Sequence, residues 1–121
     1  MSHTITVTVQ MRDMECLEAA ARELEFRWLG VGDHKLFDGE TPGAGILLTD
    51  WKYPVVVNVD TGVASYDNYG EKWGKQEMLD KLVQRYTCQV AKKAARLQRL
   101  RYSETQQADG SVRVVLSPMA G

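Results

Sequence analysis

The residues with the most binding chemistry lie together in the middle of the chain, where tyrosines, a tryptophan and lysines alternate with glycines and acids. Aromatic side chains combine a large contact area with a polar handle, and their rings also stack on planar or cationic groups. Nearby basic side chains would neutralise an anionic ligand. The candidate residues for a ligand or a partner are Tyr66, Asp67, Tyr69, Lys72, Trp73, Lys75 and Arg85. The alternative interpretation is structural, with the aromatics closing the core where a strand meets a helix.

The few potential metal ligands do not indicate a metal site. His34 lies close in sequence to three acids, Asp33, Asp38 and Glu40. This spacing is not that of a zinc site, and loops commonly carry acids. We therefore predict no bound metal.

Signatures of catalysis are equally weak. Paired carboxylates for acid–base chemistry would come from Asp50, Asp60 and Asp67, and turn formation already explains Asp60. No nucleophile elbow occurs, and the segments GVGDHK and GAGILL lack the glycine spacing of a phosphate-binding fingerprint. We predict no catalytic residue and no cofactor, and an enzyme is the less favoured class.

A basic run near the end of a predicted helix is the best candidate for contact with nucleic acid. It comprises Lys92, Lys93, Arg96, Arg99 and Arg101. Basic side chains also stabilise the C-terminal end of a helix through its dipole. A sequence pI of about 6.1 lacks the basic footprint of a nucleic-acid binder. We therefore do not expect a nucleic-acid partner.

Length and composition predict a single domain over residues 1–121. The chain is 44% hydrophobic and 26% charged, which is ordinary for a globular domain. It lacks an apolar run of the ~20 residues that span a membrane, and its first residues lack the pattern of a signal peptide. Cys16 and Cys88 form no metal or redox motif and are predicted to be buried free thiols in a reducing compartment. We expect a cytoplasmic location and no contact with a membrane.

The net charge of −1 conceals an asymmetry between the two halves of the chain. Residues 1–70 carry five Lys/Arg against eleven Asp/Glu, whereas residues 71–121 carry ten against five. Part of this follows from helix dipoles, which favour acids at helix starts and bases at helix ends. The remainder would help copies of the chain or a partner to associate, because charge distribution governs encounters. A homo-oligomer is expected.

The first part of the chain predicts a strand over residues 4–10 and then a helix. The strand alternates apolar residues with threonine. Asp13 is placed to cap the helix, because its carboxylate can accept a free backbone N–H of the first turn. The apolar residues of this helix recur at helical spacing: Met14, Leu17, Ala20, Ala21 and Leu24.

The middle of the chain predicts several strands. Residues 26–29 and 34–37 predict short strands with glycines between them, and residues 38–45 predict a loop rich in turn formers. Two apolar segments follow, and the valines of the second indicate a strand covered on both faces. The tripeptide Asp60-Thr61-Gly62 predicts a tight turn that pairs this strand with residues 63–67 as a hairpin.

A long helix and a last hairpin complete the prediction. The helix extends from residue 75 to about residue 97, and its apolar face comprises Leu79, Leu82, Val83, Tyr86, Val90, Ala94 and Leu97. Residues 100–106 and 111–116 form the hairpin, with Val112, Val114 and Leu116 facing inward. The order is strand, helix, several strands, long helix and two strands. It indicates an α+β fold in which two helices cover a mainly antiparallel sheet.

These segments together resemble a family of small uncharacterised proteins encoded in cyanobacterial and algal chloroplast genomes, and also found in other bacteria and in phages. The likeness lies in the first strand followed by MRDMECLEAAARELEF, a tyrosine-rich hairpin, the segment MLDKLVQRYTCQVAKKAA and a closing DGSVRVVL. It spans nearly the whole chain and is weakest over residues 30–52. The resemblance implies a compact intracellular α+β domain and carries no catalytic residue.

The absence of a catalytic motif, the opposite charges of the two halves and the aromatic cluster predict a non-enzymatic intracellular interaction protein. It would associate with itself or dock on a protein partner. The alternative is a small-ligand binder for a nucleotide-like or other anionic molecule near residues 66–75. In that case the aromatics would stack on a ring, and Lys72, Lys75 or Arg85 would neutralise its charge.

Overall fold

The structure is a computed structural model that describes the backbone of residues 5–7 and all of residues 10–119. The elements of these residues are β1 (Ile5–Val7), α1 (Met14–Glu23), β2 (Arg27–Leu36), β3 (Gly39–Leu47), β4 (Val55–Asn58), β5 (Val63–Tyr66), α2 (Gln76–Leu97), β6 (Leu100–Gln106) and β7 (Val112–Pro118). Five strands form an antiparallel sheet in the order β1-β5-β4-β3-β2, and β6 and β7 form a second, two-stranded sheet. This confirms the predicted α+β fold and the order of its elements. The side chains of residues 4–9, predicted to alternate, lie outside the described residues.

The helix α1 begins at its predicted cap. The Asp13 carboxylate accepts the backbone N–H of Cys16 at 3.0 Å, which satisfies one of the free donors of the first turn. Leu17, Ala20 and Ala21 are fully buried, and they form part of the main core together with Cys16. The predicted helix and its apolar face are therefore confirmed. Cys16 and Cys88 are both buried and form no disulfide, also as predicted.

The inner face of the large sheet packs on both helices. It contributes Ala44 and Ile46 from β3 and Val55 and Val57 from β4 to one core, which the helices complete. Val56 points to the opposite face and is also buried, which confirms that β4 is covered on both sides. The predicted turn at residues 60–62 joins β4 and β5 as a hairpin.

Only the first half of the predicted apolar face of α2 is used in this core. Leu79, Leu82 and Tyr86 are buried, but Val90 is 38% exposed and Leu97 is 73% exposed. The helix has 22 residues and is about 33 Å long, whereas β4 and β5 have four residues each, about 13 Å. The helix therefore extends past the sheet, and Val90 and Leu97 of the predicted apolar face are exposed. Among the described residues, no helix is long and apolar enough to cross a membrane.

Residues 27–47 differ most from the prediction. Two short strands and a loop over residues 38–45 were expected, but β2 and β3 form one long hairpin that pairs from Arg27↔Leu47 to Leu36↔Gly39. A bulge between Trp28 and Gly30 shifts the register, and the glycines of both strands interrupt the apolar alternation by which a strand is recognised. The predicted loop is therefore a strand.

The outer part of this hairpin lies against the outer face of the sheet. Ala44 and Ile46 point into the core, so Gly45 between them faces outward. The ring of His34 covers Gly45 so closely that a Cβ at this position would lie 2.7 Å from the imidazole. A larger residue at this position would displace the His34 ring from its place over β3.

A second contact of His34, with Gly30, shows that the hairpin bends back on itself. His34 Nε2 lies 2.8 Å from the carbonyl oxygen of Gly30, although residues four apart in a straight strand are separated by about 13 Å. Beyond this bend, the ring of Phe37 at the hairpin tip lies 5.4 Å from the ring of Trp73. The backbone N–H of Lys52 donates to the carbonyl of Trp73, which places Trp73 at the end of the sheet where β4 begins. The hairpin thus crosses the outer face of the sheet and ends beside Trp73.

The two helices pack antiparallel, and ion pairs line their junction. Near the start of α1, the Asp13 carboxylate lies 2.8 Å from Lys93 Nζ. Near the end of α1, Glu23 lies 2.8 Å from the Arg85 guanidinium. The acids of α1 therefore meet the bases of α2 within one molecule, and part of the charge asymmetry of the sequence has this intramolecular role.

The predicted hairpin of β6 and β7 packs along α2 as a separate sheet. Arg85 binds both oxygens of Glu104, at 2.7 and 3.0 Å, and Gln84 donates to the carbonyl of Gly110 at 3.1 Å. An isolated two-stranded hairpin is marginally stable in water, so these contacts with α2 are what hold it. Leu116, expected to face inward, is 40% exposed, because α2 covers only part of this small sheet.

Tyr86 joins the two helices and provides the first test of the fold. Its side chain is 7% exposed, and its hydroxyl accepts the backbone N–H of Asp13 at 3.1 Å. We expect Tyr86→Ala to reduce the free energy of unfolding by about 3–5 kcal/mol, because it leaves a cavity in the core. Tyr86→Phe removes only the hydrogen bond and leaves the Asp13 N–H unpaired, at a cost of about 1–2 kcal/mol. Chemical denaturation measures both, and an alanine variant as stable as the parent would contradict this packing.

Candidate functional site

The segment between β5 and α2, residues 67–75, has an unusual backbone. Tyr69, Gly70 and Glu71 have φ values of 47°, 57° and 71°, a left-handed run that residues other than glycine rarely adopt. Tyr69 and Glu71, which carry a Cβ, each cost about 1–2 kcal/mol relative to a right-handed conformation. Local hydrogen bonds hold the turn: Asp67 Oδ1 accepts the N–H of Tyr69 at 3.2 Å, and the carbonyl of Asn68 accepts the N–H of Trp73 at 2.9 Å. The surrounding structure therefore maintains a strained loop, and such strain is common at functional sites.

Trp51 is the support beneath this loop. It is buried, and its indole N–H donates to the carbonyl of Lys75 at 3.1 Å. Gly74 lies against its ring, and a Cβ at this position would overlap the indole of Trp51. On its other side Trp51 contacts the ring of Tyr66 edge-on, with centroids 5.6 Å apart. Trp51 thus closes the core and fixes the path of the loop above it.

The outer side of the loop carries a second group of aromatic rings. Trp73 contacts Tyr69 in a stacked arrangement at 4.7 Å, Phe37 at 5.4 Å and Tyr53 edge-on at 5.5 Å. Three separate chain segments supply these rings, namely the tip of the β2–β3 hairpin, the residues before β4, and the loop itself. Phe37 is 50% exposed, and the other three are partly exposed.

Two lysines extend this cluster. Lys52 Nζ lies 4.5 Å from the centroid of the Trp73 ring, and Lys72 Nζ lies 5.0 Å from that of Tyr69. Both distances are within the range of cation–π attraction. The stacked rings of Tyr69 and Trp73 leave no room for an ammonium group between them. Lys52 therefore lies on the outer face of Trp73, and Lys72 lies on the outer face of Tyr69. We call Phe37, Lys52, Tyr53, Tyr69, Lys72 and Trp73 the Trp73 surface.

The structure separates the predicted site residues into two groups. Tyr69, Lys72 and Trp73 come together in the Trp73 surface. Tyr66 instead belongs to the core: burial raises the pKa of its phenol, and its hydroxyl donates to Gln76 Oε1 at 3.3 Å. Asp67 is 0% exposed, and its Oδ2 has no hydrogen-bond partner among the described residues. Both residues therefore lie beneath the surface that they were predicted to form.

Lys75 and Arg85 lie outside the Trp73 surface. Lys75 is exposed at the N-cap position of α2 and uses its carbonyl to bind Trp51. Arg85 is about 15 Å further along the helix and is enclosed by Glu23 and Glu104. These carboxylates raise the pKa of the Arg85 guanidinium, and Arg85 lowers the pKa of Glu104 from its ordinary 4.5 to about 2. Arg85 joins α1, α2 and β6 and is not placed to bind a ligand at residues 66–75.

Three members of the Trp73 surface were not predicted: Phe37, Lys52 and Tyr53. Tyr53 and Lys52 immediately precede β4, so their proximity to the loop follows once β4 and β5 are paired. Phe37 depends on the bend of the β2–β3 hairpin, for which the sequence offers only its glycines as a signal.

Several of the other candidate residues have structural contacts. His34 covers Gly45, and no three His, Cys, Asp or Glu side chains of the described residues come together as a metal site. Within the turn after β4, the N–H of Asp60 donates to Asn58 Oδ1 at 3.0 Å, as expected for a turn residue. Lys93 and Arg96 of the basic run pair with Glu15, and Lys92 lies over the ring of Tyr102.

Comparison of the chain with models of protein families, with curated proteins and with solved structures finds no match. The resemblance to the family encoded in chloroplast and cyanobacterial genomes stays a prediction. The function is therefore inferred from the geometry of the Trp73 surface.

The contact between Gly74 and Trp51 provides a test of the loop. Gly74→Ala places a methyl group inside the indole ring contact, so we expect a loss of about 1–3 kcal/mol of stability from overpacking and a shift in tryptophan fluorescence. The matched control is Gly32→Ala, where an added Cβ meets no atom within 4 Å. Urea denaturation of the two variants should separate them, and equal midpoints would show that the loop does not rest on Trp51.

The low pKa of Glu104 predicts a dependence of stability on pH. The pKa of Glu104 is near 2 in the folded chain, below its ordinary value of 4.5. As the pH falls, this carboxylate therefore binds a proton at a higher pH in the unfolded chain than in the folded chain. The stabilisation from the pair with Arg85 is then complete above about pH 4.5 and is lost progressively toward pH 2. We expect Glu104→Gln to be less stable than the parent at pH 7 and to approach it toward pH 2. Glu77→Gln, which removes an exposed pair with Lys81 at 3.7 Å, is the control. A constant difference between the parent and Glu104→Gln from pH 7 to 2 would refute the assignment.

Proposed function

We propose that the protein is a non-enzymatic interaction protein that docks a protein partner on the Trp73 surface. The observation that carries this proposal is a group of four partly exposed aromatic rings, gathered from three chain segments on a strained loop. Tryptophan and tyrosine dominate the binding energy of many protein interfaces, because they contribute a large contact area and lose few rotamers. Docking a partner would use the ring area that the folded chain leaves open.

Core closure accounts poorly for these four rings. Trp51 and Tyr66 already close the core at this end of the sheet, where both are buried. Trp73 lies on the solvent side of the loop, and Phe37 reaches it only because the β2–β3 hairpin bends across the sheet. A second aromatic layer over a closed core adds little burial, whereas it provides a rigid contact surface.

The lysines indicate the polar part of the expected interface. Lys52 and Lys72 hold their ammonium groups at the two ends of the stacked pair of rings, 4.5 and 5.0 Å from the ring centroids. These groups keep donors available for carboxylates or carbonyl oxygens at the rim of an interface. The expected partner contributes an apolar side chain to the rings and oxygen acceptors to the lysines.

A small anionic ligand is the second candidate, and the same two lysines favour it. The ring-stacking form of this idea is disfavoured, because Tyr69 and Trp73 are already stacked at 4.7 Å and leave no space for another ring between them. An anion at Lys52 and Lys72 would instead contact the outside of the stack. Thermal shift with nucleotides and phosphorylated metabolites tests this candidate, since a ligand at 100 times its Kd adds about 2.7 kcal/mol. No shift with any of them would exclude it.

A cytoplasmic location and membership of the chloroplast- and cyanobacterium-encoded family belong to the same proposal. Cys16 and Cys88 are unpaired thiols, which suits a reducing compartment. The α+β fold agrees with the family resemblance, which itself implies no reaction. Nothing in the proposed function requires a cofactor or a nucleic acid.

The docking proposal is tested with the immobilised chain and quantitative identification of the proteins it retains from its source cells. We expect a specific partner to bind the parent and a Leu116→Ala control, which changes an exposed apolar residue elsewhere. Trp73→Ala should weaken its binding about 30-fold or more, the effect of removing a hot spot of 2 kcal/mol. Circular dichroism of Trp73→Ala serves as the control that the variant is folded. If the parent and Trp73→Ala retain the same proteins in the same amounts, this surface is not the docking site.

A further inference from the structure

The second half of α2 presents an apolar stripe that the other described residues leave largely exposed at Val90 and Leu97. Val83, Val90 and Leu97 are spaced seven residues apart and therefore lie along one side of the helix. Val83 packs against the core, but Val90 is 38% exposed and Leu97 is 73% exposed. We call residues 87–97, which extend past the sheet, the α2 overhang.

The residues on one flank of this stripe are small or uncharged, and Lys93 on the other flank directs its ammonium group to Asp13 of α1. Thr87, Ala91 and Ala94 lie next to Val90 on the helix surface, and Gln98 follows at the helix end. Small side chains allow the axes of two helices to approach closely. The charged residues of the overhang point to other sides: Lys93 and Arg96 pair with acids of α1, and Lys92 lies over Tyr102 of β6. One side of the overhang is thus a surface suited to another helix.

We propose that this stripe pairs antiparallel with the same stripe of a second copy of the chain. The spacing is self-complementary: with Val90 on a twofold axis, Val83 of each copy lies opposite Leu97 of the other. A twofold interface requires this reciprocity: Val83 of the first copy contacts Leu97 of the second, and Leu97 of the first copy contacts Val83 of the second. The overhang of each copy then extends toward the end of the other copy's sheet. Helices α1 do not interfere, because they pack on the side of α2 that carries Lys93 and Arg96.

The charges along α2 favour the antiparallel direction and a second copy as the occupant. Asp80 lies in the second turn of α2, where Glu77 and Lys81 pair with each other, and Arg99 follows the end of the helix. With Val90 on the axis, Asp80 of one copy lies level with Arg99 of the other, whereas Arg101 belongs to β6 on the Lys92 side of α2. Antiparallel helix dipoles add a small favourable contribution. A parallel pair would instead place like charges together, so charge and apolar spacing select the same arrangement.

Cysteine cross-linking tests the register directly. Only a residue on the twofold axis meets its own copy, so we expect Val90→Cys to form a disulfide-linked dimer under mild oxidation. Leu97→Cys alone should stay uncrosslinked, whereas a mixture of Leu97→Cys and Val83→Cys should link, because these positions face each other. Disulfides need Cα atoms within about 7 Å, which makes the result specific. The parent chain is the blank, since both of its thiols are buried. If Leu97→Cys links to itself and Val90→Cys does not, the arrangement is wrong.

Light scattering tests the association itself. The parent is expected at twice its mass of 13.6 kDa, and Val90→Glu at the monomer mass. The matched control is Val115→Glu, because Val115 on β7 is exposed to a similar degree, 41%, but lies outside the stripe. It should stay dimeric, as should Trp73→Ala, so this inference and the docking proposal succeed or fail independently. A monomeric parent at about 100 μM, far above the Kd of stable dimers, or equal effects of the two glutamate variants, would overturn the proposal. If circular dichroism shows Val90→Glu to be unfolded, the cross-linking result decides.

Discussion

The short central strands of the sheet set the conditions for every longer element. β4 and β5 have four residues each, so the sheet between them is only about 13 Å high. The helix α2 and the β2–β3 hairpin are both much longer than this, and neither can bury its full length on the sheet. The helix continues straight past one end and leaves Val90 and Leu97 in solvent. The hairpin bends at its glycines and returns across the outer face, which carries Phe37 to the opposite end. One mismatch in length thus exposes the end of α2 and brings Phe37 to the Trp73 surface.

Electrostatics fixes how the remaining pieces pack around this sheet. Arg85 is the centre of the arrangement, because its guanidinium meets Glu23 of α1 and Glu104 of β6 from a single position on α2. Its Nε is buried without a hydrogen-bond partner among the described residues, so its stabilisation depends on these two carboxylates. At the other end of α1, Asp13 caps the helix, pairs with Lys93 and donates its N–H to Tyr86. Two polar junctions therefore join the helices and the small sheet, one of them at the edge of the core through Tyr86.

The sequence predicted those parts of the fold whose signals are local. The cap at Asp13, the α2 helix, the turn at residues 60–62 and the last hairpin each depend on neighbours within a few residues, and the structure has them all. The β2–β3 hairpin was missed, because its glycines interrupt the alternation that identifies strands. The exposure of Leu97 was missed for a different reason: helical spacing indicates which side of a helix is apolar but not how far its partner extends. The Trp73 surface shows the same contrast. Tyr69, Lys72 and Trp73 lie in one short segment and were predicted together, whereas Phe37 joins them only because the β2–β3 hairpin bends.

The two surfaces lie at opposite ends of the molecule, and this placement has a consequence for their combined action. Residue 76 begins α2 beside the Trp73 surface, and Val90 is about 21 Å further along the helix axis. In an antiparallel pair centred on Val90, the two α2 starts would lie about 40 Å apart and face opposite directions. Each copy would then leave its Trp73 surface free while the overhangs are paired. Such a dimer presents two docking surfaces at a fixed separation. A partner with two binding segments would bind both surfaces, and the first contact would raise the effective concentration for the second, so its affinity would exceed that for a single surface. Self-association and partner docking, which the sequence offered as alternatives, are compatible in this geometry because the Trp73 surface lies beside the start of α2 and the α2 overhang forms its end.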